Sequence, residues 1–317
     1  MRILVTGGTG YLGRAIVQAA AARGHAVVVL ARRASSAGLP GEAVDADVRD
    51  RAAVVAAARG VDAICHTAAL VSLWRPDPRE FDAVNVGGLE HAIAAAREAG
   101  VARLVYTSSF LALPPAGRET PIAANDYQRT KAAARQVALR ARDAGLPILL
   151  TYPGVVYGPG VRTDGNLVGR LLADHAARRL PGLVGPERVW SFSWIDDVAL
   201  AHVVAIERGA VGADYPLGGE NAPVMRAFEL ARDLGLRGLP RRLPYAIAAV
   251  TGAIEEWRAR LTGATPLVTR ATVEIFRHDW PVEHARAAAD LGYRPTPLAE
   301  GLRRTVAELL PGRNTTT

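Results

Sequence analysis

The sequence predicts an α/β fold in which a parallel β-sheet is covered by helices on both faces. A short apolar run at residues 3–6 leads into a glycine-rich turn and then into a helical pattern. The same alternation of apolar runs with helical stretches continues to about residue 219. Strands that alternate with helices form parallel sheets. From about Pro223 onward the pattern is helical, which indicates a second, smaller lobe.

The glycine-rich turn at residues 7–13 has the context of a phosphate-binding loop, between a strand and a helix at 14–23. Its glycines let the backbone approach a pyrophosphate, whose charge then lies at the amino end of the helix. We therefore expect a dinucleotide here, and a plain βα turn is the alternative. The expected contact residues are Gly7, Thr9, Gly10, Tyr11 and Leu12.

The second predicted strand, residues 26–30, is followed by Arg32 and Arg33. An acid at this place would bind the ribose 2′-hydroxyl of NAD, whereas an arginine accommodates the 2′-phosphate of NADP. The pair favours NADP(H), and NAD(H) is the alternative because arginine is so common in this chain. Asp47 and Val48, after a weak third strand, are placed to meet the adenine. Alternatively, Asp47 caps the helix predicted at 51–59.

The fourth predicted strand, residues 61–66, ends in small residues that let the backbone lie close to a ligand. These expected cofactor contacts are Thr67, Ala68 and Ala69. His66 has no obvious partner and is interpreted as a packed histidine. A long helix predicted at 81–99 is interrupted near Asn85. That residue either organises backbone or water near the active centre or marks a polar kink.

The fifth predicted strand, residues 103–107, ends in two serines. Ligands of open parallel sheets lie beyond the carboxyl ends of the strands. A hydroxyl at Thr107, Ser108 or Ser109 would therefore face the cofactor. The alternative is a serine that caps the next turn.

Tyr127 and Lys131 are four residues apart, and the run 131–144 predicts a helix. Lys131 is the one lysine among 38 Lys and Arg residues, which suggests a place that needs a compact ammonium. Residues four apart share a helix face. A positive charge about 4 Å away contributes about 4 kcal/mol at an effective dielectric near 20, enough to lower the pKa of a tyrosine from about 10 to about 7. The pair can then act as a general acid and base; a surface tyrosine beside a solvated lysine is the alternative.

Beyond the sixth predicted strand, residues 147–151, helices and strands alternate again. We predict helices at 167–177 and 197–207 and strands at 189–194 and 213–217. Residues 1–165 are expected to form the dinucleotide-binding domain, to which segments of about 188–219 return, and 166–311 mainly the second lobe. The tail 312–317 is expected to be disordered.

The stretch 243–261 carries an apolar face at helical spacing, which is typical of a core helix rather than a ligand site. The residues of this face are Tyr245, Ile247, Val250, Ile254, Trp257 and Leu261.

Composition limits the classes of function. With 317 residues, 50% of them hydrophobic, the chain can bury a large core. One cysteine, Cys65, permits no intramolecular disulfide and indicates a reducing, cytoplasmic setting. No apolar run is long enough to span a bilayer. The net charge of +7 is spread among acids without a basic stripe, so we expect no nucleic-acid partner.

Nine motifs together resemble the extended short-chain dehydrogenase/reductase family, within it most closely the dihydroflavonol-reductase-like branch. They lie at residues 6–13, 66–69, 85–88, 106–109, 127–131, 152–160, 193–198, 291–295 and 298–302. Residues 70–78 and 109–113 are similar to plant farnesol dehydrogenase. The segment between Ser109 and Tyr127 is shorter than in those plant relatives.

The resemblance implies a Rossmann-type doubly wound sheet with a smaller, mostly helical C-terminal substrate lobe. It implies that Tyr127 is the acid/base, that Lys131 binds the nicotinamide ribose and that Ser109 polarises the reacting oxygen. A segment beneath the nicotinamide is expected at Pro153, Gly154 and Val155. Relatives often pair through two long helices, so a homodimer is expected by analogy.

The expected function is NAD(P)-dependent interconversion of an alcohol and a carbonyl on a hydrophobic substrate. Candidate pocket residues, each of which could equally be core, are Trp74, Phe110, Leu111, Tyr157, Trp190 and Trp194. A nucleotide-sugar epimerase or dehydratase with tightly held NAD is the first alternative, although Trp190 stands where such relatives usually carry an arginine. A non-catalytic dinucleotide sensor is the second. No hydrolase elbow or metal-ligand spacing is present, so no metal is expected.

Overall fold

The computed structural model describes residues 1–72, 74–161 and 163–310. The predicted tail at 312–317 lies outside the described residues. The strands are β1 (Arg2–Thr6), β2 (Ala26–Ala31), β3 (Glu42–Asp45), β4 (Ala63–His66), β5 (Arg103–Thr107), β6 (Ile148–Pro153), β7 (Val155–Tyr157), β8 (Val189–Trp194), β9 (Asp214–Leu217) and β10 (Glu220–Pro223). The α-helices are α1 (Tyr11–Ala22), α2 (Arg51–Ala57), α3 (Arg79–Phe81), α4 (Gly88–Ala99), α5 (Asp126–Asp143), α6 (Leu167–Ala176), α7 (Ile195–Arg208), α8 (Val224–Asp233), α9 (Tyr245–Thr262), α10 (Arg270–Ile275), α11 (Ala285–Leu291) and α12 (Leu298–Leu309).

Seven strands form one parallel sheet in the order β3-β2-β1-β4-β5-β6-β9. The chain therefore starts in the middle of the sheet and winds outward in both directions, which confirms the predicted doubly wound α/β fold. In the register of β1, Thr6 pairs with Leu30 on one side and with His66 on the other. The carboxyl ends of the central strands therefore lie at one edge of the sheet.

Alternate residues of the strands pack into two separate helical layers, because successive side chains of a strand point to opposite faces. Ile3 and Val5 of β1 join a core cluster with α1 and α7. Leu4 joins the cluster on the other face with α2, α4 and α5. Both faces of the sheet are thus covered, as parallel sheets require.

A second, three-stranded sheet has the order β10-β8-β7. The chain enters it at Gly154, between β6 and β7. A Cβ there would lie 2.6 Å from the carbonyl oxygen of Ser191 and 2.7 Å from the Ser193 hydroxyl, so only glycine fits. Strand β8 belongs to this sheet, whereas α7 and β9 pack with the seven-stranded sheet. After β10 the described residues form helices, of which α11 packs against α7 and β9.

Some predicted boundaries were wrong. Helix α5 begins at Asp126 rather than Lys131, and the side chain of Asn125 caps it by accepting a hydrogen bond from the Gln128 amide at 2.8 Å. Asp50, not Asp47, caps α2. Strands β7 and β10 were not predicted. Each is only three or four residues long, contains no long apolar run and forms by pairing with β8.

The apolar face of α9 was predicted to be core and is instead exposed. Ile247 and Leu261 are 54% and 65% exposed, and Val250, Ile254 and Trp257 lie between them on the same face. Hydrophobic periodicity shows that a helix has an apolar face but not what covers it. Within the described residues no helix combines the length and apolarity that crossing a bilayer requires.

Candidate active site

The glycine-rich turn lies at the carboxyl edge of the sheet, against the segment that follows β4. Gly7 has a φ of +71°, and a Cβ there would lie 2.6 Å from the Cα of Ala68. The Gly7 amide donates to the Leu30 carbonyl at 2.8 Å, and the Gly10 amide donates to the Gly7 carbonyl at 2.9 Å. A Cβ on Gly13 would collide with that same carbonyl oxygen. The loop is therefore tightly folded and tolerates no side chain at Gly7 or Gly13.

The amino end of α1 fits an anionic group. Gly10 is its N-cap, no side chain caps the helix, and its first turn contains no acid. The free amide groups of a first turn carry partial positive charge and bind phosphate groups well. Gly10 is exposed and Thr9 is partly exposed beside it. Tyr11 is buried in the core of the smaller lobe, and Leu12 packs between both lobes. The residues present thus fit a dinucleotide pyrophosphate.

The part of the dinucleotide site that is expected to receive the adenosine contains two exposed arginines and an aspartate held by hydrogen bonds. Arg32 and Arg33 are both exposed. Asp47 accepts hydrogen bonds from the Arg49 side chain at 3.0 and 2.8 Å, which lowers the pKa of its carboxyl, and the charge of Arg32 adds to this effect. The Val48 carbonyl accepts from His91 at 2.8 Å. Asp47 and Val48 are thereby held in place beside the arginines.

Tyr127, Ser109 and Lys131 come together beyond the end of β5. Tyr127 lies in the first turn of α5 and is partly exposed. The Ser109 hydroxyl accepts from the Leu111 amide at 3.2 Å, so this serine does cap the next turn. It also lies close enough to the Tyr127 phenol to lower its pKa. The two predicted functions of the serine are therefore compatible.

We expected the charge of Lys131 to lower the pKa of Tyr127. In the protein without a cofactor this expectation was wrong, because the pKa of Tyr127 is raised. Loss of hydration raises the pKa of this phenol by more than Ser109 lowers it. Lys131 is 3% exposed, and its ammonium donates to the Thr107 carbonyl at 2.9 Å. Burial lowers the pKa of Lys131 to about 7. The sequence shows that phenol and amine share a helix face but not which acceptor the amine selects.

Asn85 ties the loop after β4 to α5. It lies in a π-helical turn, Asp82–Gly87. Its carbonyl oxygen accepts from the Leu70 amide at 2.7 Å, and its amide donates to the Thr130 hydroxyl at 2.9 Å. Of the two interpretations of Asn85, the structure supports the one in which it organises backbone. Its partner Thr130 directly precedes Lys131 in the sequence.

His202 is a supporting residue that sequence reasoning missed. It is fully buried on α7. One ring nitrogen donates to the Val198 carbonyl at 2.7 Å, and the other lies 3.0 and 2.9 Å from the hydroxyls of Thr107 and Thr151. It thereby fixes Thr107, whose carbonyl holds Lys131. A lone histidine on an apolar helix gives no sequence signal for this role.

His66 is buried as expected, with Thr6 as its partner at 2.8 Å, and like His202 it is neutral near pH 7. Burial lowers the pKa of His66 to about 3 and that of His202 to about 4, whereas an unfolded histidine titrates near about 6.5. Between about pH 6.5 and pH 4 the unfolded chain binds more protons. We therefore expect the free energy of unfolding to fall as the pH decreases through this window, which denaturant titrations at several pH values would measure.

The matched control is His202→Asn, which removes one of the two titrating groups. We expect it to be less stable than the wild type at pH 7 but to lose less stability on acidification. Equal losses in the two proteins would contradict the assignment of a neutral, buried His202.

Aromatic side chains line the region beyond Ser109. Phe110 packs on Trp190 and Trp280 with ring centroids 6.2 and 5.6 Å apart. The Trp190 indole N–H is buried and has no hydrogen-bond partner among the described residues. Leu111 is partly buried beside them. Tyr157 and Trp194 are 0% and 1% exposed in the packed interior of the smaller lobe, with centroids 5.5 Å apart.

A cavity of about 420 Å³ lies between the first turn of α5 and helices α9 and α10. Trp74, the remaining pocket candidate, is in its wall. Its wall also includes Asn125, Asp126, Glu256, Arg260 and Arg270. The cavity adjoins the first turn of α5 through Asn125 and Asp126, and Tyr127 is not among its lining residues.

A parallel sheet, a glycine loop after its first strand, and a Ser–Tyr–Lys set beyond its fifth strand define a protein of the short-chain dehydrogenase/reductase class. More particularly, the chain belongs to the NAD dependent epimerase/dehydratase family, whose sequence model matches residues 3–218. This confirms the family resemblance.

Similar proteins span the whole chain. A 2-alkyl-3-oxoalkanoate reductase from Stenotrophomonas maltophilia (strain K279a) is 34% identical over 97% of this chain and 99% of its own length. A putative dihydroflavonol 4-reductase from Synechocystis sp. (strain ATCC 27184 / PCC 6803 / Kazusa) is 27% identical over 95% and 92%. The protein in the crystal structure of gox2253 is 31% identical in sequence. It superimposes with a TM-score of 0.80 over 96% of this chain and 97% of its own. The finer likeness to plant farnesol dehydrogenase stays a prediction.

Proposed function

We propose that this protein is an NAD(P)-dependent oxidoreductase that interconverts an alcohol and a ketone or aldehyde on a hydrophobic substrate. The observation that carries the proposal is the Ser109 hydroxyl beside the partly exposed phenol of Tyr127, whose pKa it lowers, with the buried amine of Lys131 one helical turn away. This set lies at the same edge of the sheet as the uncapped amino end of α1.

The nicotinamide cofactor, when bound, donates or accepts the hydride. The amide groups at the start of α1 hold its pyrophosphate, and Thr67, Ala68 and Ala69 form the neighbouring wall. In the reducing direction Tyr127 donates its phenolic proton to the carbonyl oxygen, and Ser109 holds that oxygen in place. Lys131 holds the nicotinamide ribose. Its positive charge also favours the phenolate that Tyr127 leaves behind.

The aromatic surroundings favour an apolar substrate with a polar reacting end. Phe110 and Trp190 pack next to Ser109 and are 8% and 4% exposed. The buried N–H of Trp190, for which the described residues offer no partner, would donate to a substrate oxygen that reaches it. The 2-alkyl-3-oxoalkanoate named for one relative is a substrate of this type. Because the surroundings are aromatic and apolar, we propose terpenoid, steroid and aryl ketones as the first substrates to test. Oxidation of NADPH with a panel of such ketones tests the proposal, and no turnover of any apolar ketone or alcohol would oppose it.

The family also includes epimerases and dehydratases, and a nucleotide-sugar activity is the second candidate. Its diphosphate would need a free cation near Trp190. Arg188 is the nearest by sequence, but its guanidinium lies 3.5 Å from the Asp279 carboxylate. Retention of NAD through gel filtration would favour this candidate, whereas a freely exchanging cofactor favours the oxidoreductase. The sensor alternative gives no reason for a serine hydroxyl that lowers the pKa of the Tyr127 phenol.

NADP(H) is the proposed cofactor, because Arg32 and Arg33 are exposed and neither is paired with a carboxylate among the described residues. We expect NADP⁺ to raise the thermal unfolding midpoint more than NAD⁺ does at equal concentration, since tighter binding stabilises the folded state more. Arg32→Ala is expected to lose most of the NADP⁺ effect and to keep the NAD⁺ effect. Arg59→Ala, another exposed arginine, is the control. A larger shift with NAD⁺ in the wild type would overturn the NADP(H) preference.

A cytoplasmic location and a homodimer belong to the same proposal. They rest on the single cysteine and on analogy with relatives that pair through two long helices.

A further inference from the structure

Helix α9 presents large apolar side chains to solvent along its whole length. Ile247, Val250, Ile254, Trp257 and Leu261 are 54%, 62%, 59%, 65% and 65% exposed, and Leu267 just beyond is 82% exposed. The five helical residues recur at alternating intervals of three and four, so they lie on one face. At 1.5 Å per residue they extend over about 21 Å. We call these six residues the α9 stripe.

The face of α9 that packs on the protein carries small residues instead. Ala248, Gly252 and Ala259 are buried. A Cβ on Gly252 would lie 2.8 Å from the backbone nitrogen of Arg270, so α9 packs closely against the start of α10. A surface helix normally buries its large apolar face. This reversed arrangement indicates that the α9 stripe contacts something outside the chain.

Arginines lie on both sides of the α9 stripe. At 3.6 residues per turn, Arg258 falls on one edge and Arg260 on the other. Arg258 pairs with Glu255 at 2.7 Å. Arg260 is exposed and has no carboxylate partner in the part of the chain that the structure describes. Exposed Arg241 and Arg242 precede the helix. Apolar residues with arginines along their edges are typical of helices that lie on an anionic bilayer surface.

A second copy of the chain fits the α9 stripe less well. A stable protein interface takes roughly 20–30 residues from each partner, whereas the stripe has six. Two copies would also each bring a net charge of +7, and like charges oppose association. An anionic surface gains from the same charge.

We propose that α9 docks this protein onto the surface of a bilayer that contains anionic phospholipids, with the α9 stripe at the boundary between headgroups and acyl chains. Glu256 and Arg260, next to the stripe, line the cavity at the first turn of α5. Docking therefore brings the cavity close to the bilayer. That an apolar substrate enters from the lipid rests on the proposed function; the docking itself does not.

Flotation of the full chain with vesicles tests the proposal without any measurement of activity. We compare vesicles of phosphatidylcholine alone with vesicles that also contain phosphatidylglycerol. We expect flotation with the anionic vesicles at low salt, less at high salt, and little with phosphatidylcholine alone. The emission of Trp257 should shift to shorter wavelength on binding, and Trp257→Phe should remove this shift.

The variant Ile254→Gln/Leu261→Gln is expected to weaken binding to the anionic vesicles at least about tenfold, because two apolar side chains no longer enter the lipid. Its thermal unfolding should match the wild type, since both residues are exposed. The matched control is Leu200→Gln, which changes a 45% exposed leucine on α7. It should bind like the wild type.

Three results would overturn the proposal. The first is no flotation with anionic vesicles at low salt, and the second is equal flotation of the double variant and the wild type. The third is a concentration-dependent dimer in light scattering that the double variant converts to a monomer, which would assign the α9 stripe to a second copy.

Discussion

Replacement of Tyr127 with phenylalanine is expected to lower kcat/KM by about 10²–10⁴, the range that a positioned acid/base contributes. The substitution removes only the hydroxyl that would exchange a proton with the substrate oxygen. The fold should be unaffected, because Tyr127 is partly exposed and Ser109 keeps its bond to the Leu111 amide. Steady-state kinetics would measure the loss, and thermal shift with dinucleotide would show that cofactor binding persists.

Tyr293→Phe is the matched control for this result. It also removes one phenolic hydroxyl, but Tyr293 is buried in the core, and its hydroxyl has no hydrogen-bond partner among the described residues. We expect nearly normal kcat/KM. If Tyr127→Phe retained normal turnover, Tyr127 would not be the acid/base.

Gly13→Ala is expected to destabilise the fold strongly, by about 3 kcal/mol or more. Its Cβ would collide with the carbonyl oxygen of Gly7. Overpacking against side chains typically costs about 1–3 kcal/mol. Here the obstacle is backbone fixed by the hydrogen bond from Gly10, which cannot move aside as a side chain can. Denaturant unfolding would measure the loss.

Gly10→Ala is the contrasting variant in the same loop. Gly10 is exposed, its backbone is extended with φ −70° and ψ 171°, and its new Cβ would lie 3.1 Å from the Gly7 carbonyl oxygen. The fold should therefore survive. The methyl group would stand where a pyrophosphate approaches the start of α1, so we expect dinucleotide affinity to fall at least about tenfold. Wild-type affinity in Gly10→Ala would show that the dinucleotide binds elsewhere.

The sequence predicts the sheet well, because its strands are apolar runs separated by helical patterns. Strands β5 and β8 were predicted with the bounds that the structure shows. The sequence predicts a strand less well where that strand forms only because it pairs with a neighbouring strand. Strand β10, with the sequence Glu-Asn-Ala-Pro, has no strand pattern of its own and forms along β8.

The candidate site shows the same limit. The spacing of Tyr127 and Lys131 placed both on one helix face, and the glycine pattern placed the loop between β1 and α1. The choice of Thr107 as the acceptor for Lys131, and the support of Thr107 by His202, depend on how α5 and α7 pack on the sheet. No local pattern encodes that packing. The exposure of Trp257 likewise depends on what surrounds α9 rather than on its sequence.

A crystal structure of the complex with NADP⁺ tests the central claim most directly. We predict that the pyrophosphate lies against the amides of Gly10 to Leu12 and that the nicotinamide ring faces the Tyr127 hydroxyl, with Lys131 turned from Thr107 toward the ribose. A dinucleotide bound away from the loop after β1, or a nicotinamide ring that Tyr127 cannot approach, would contradict the account.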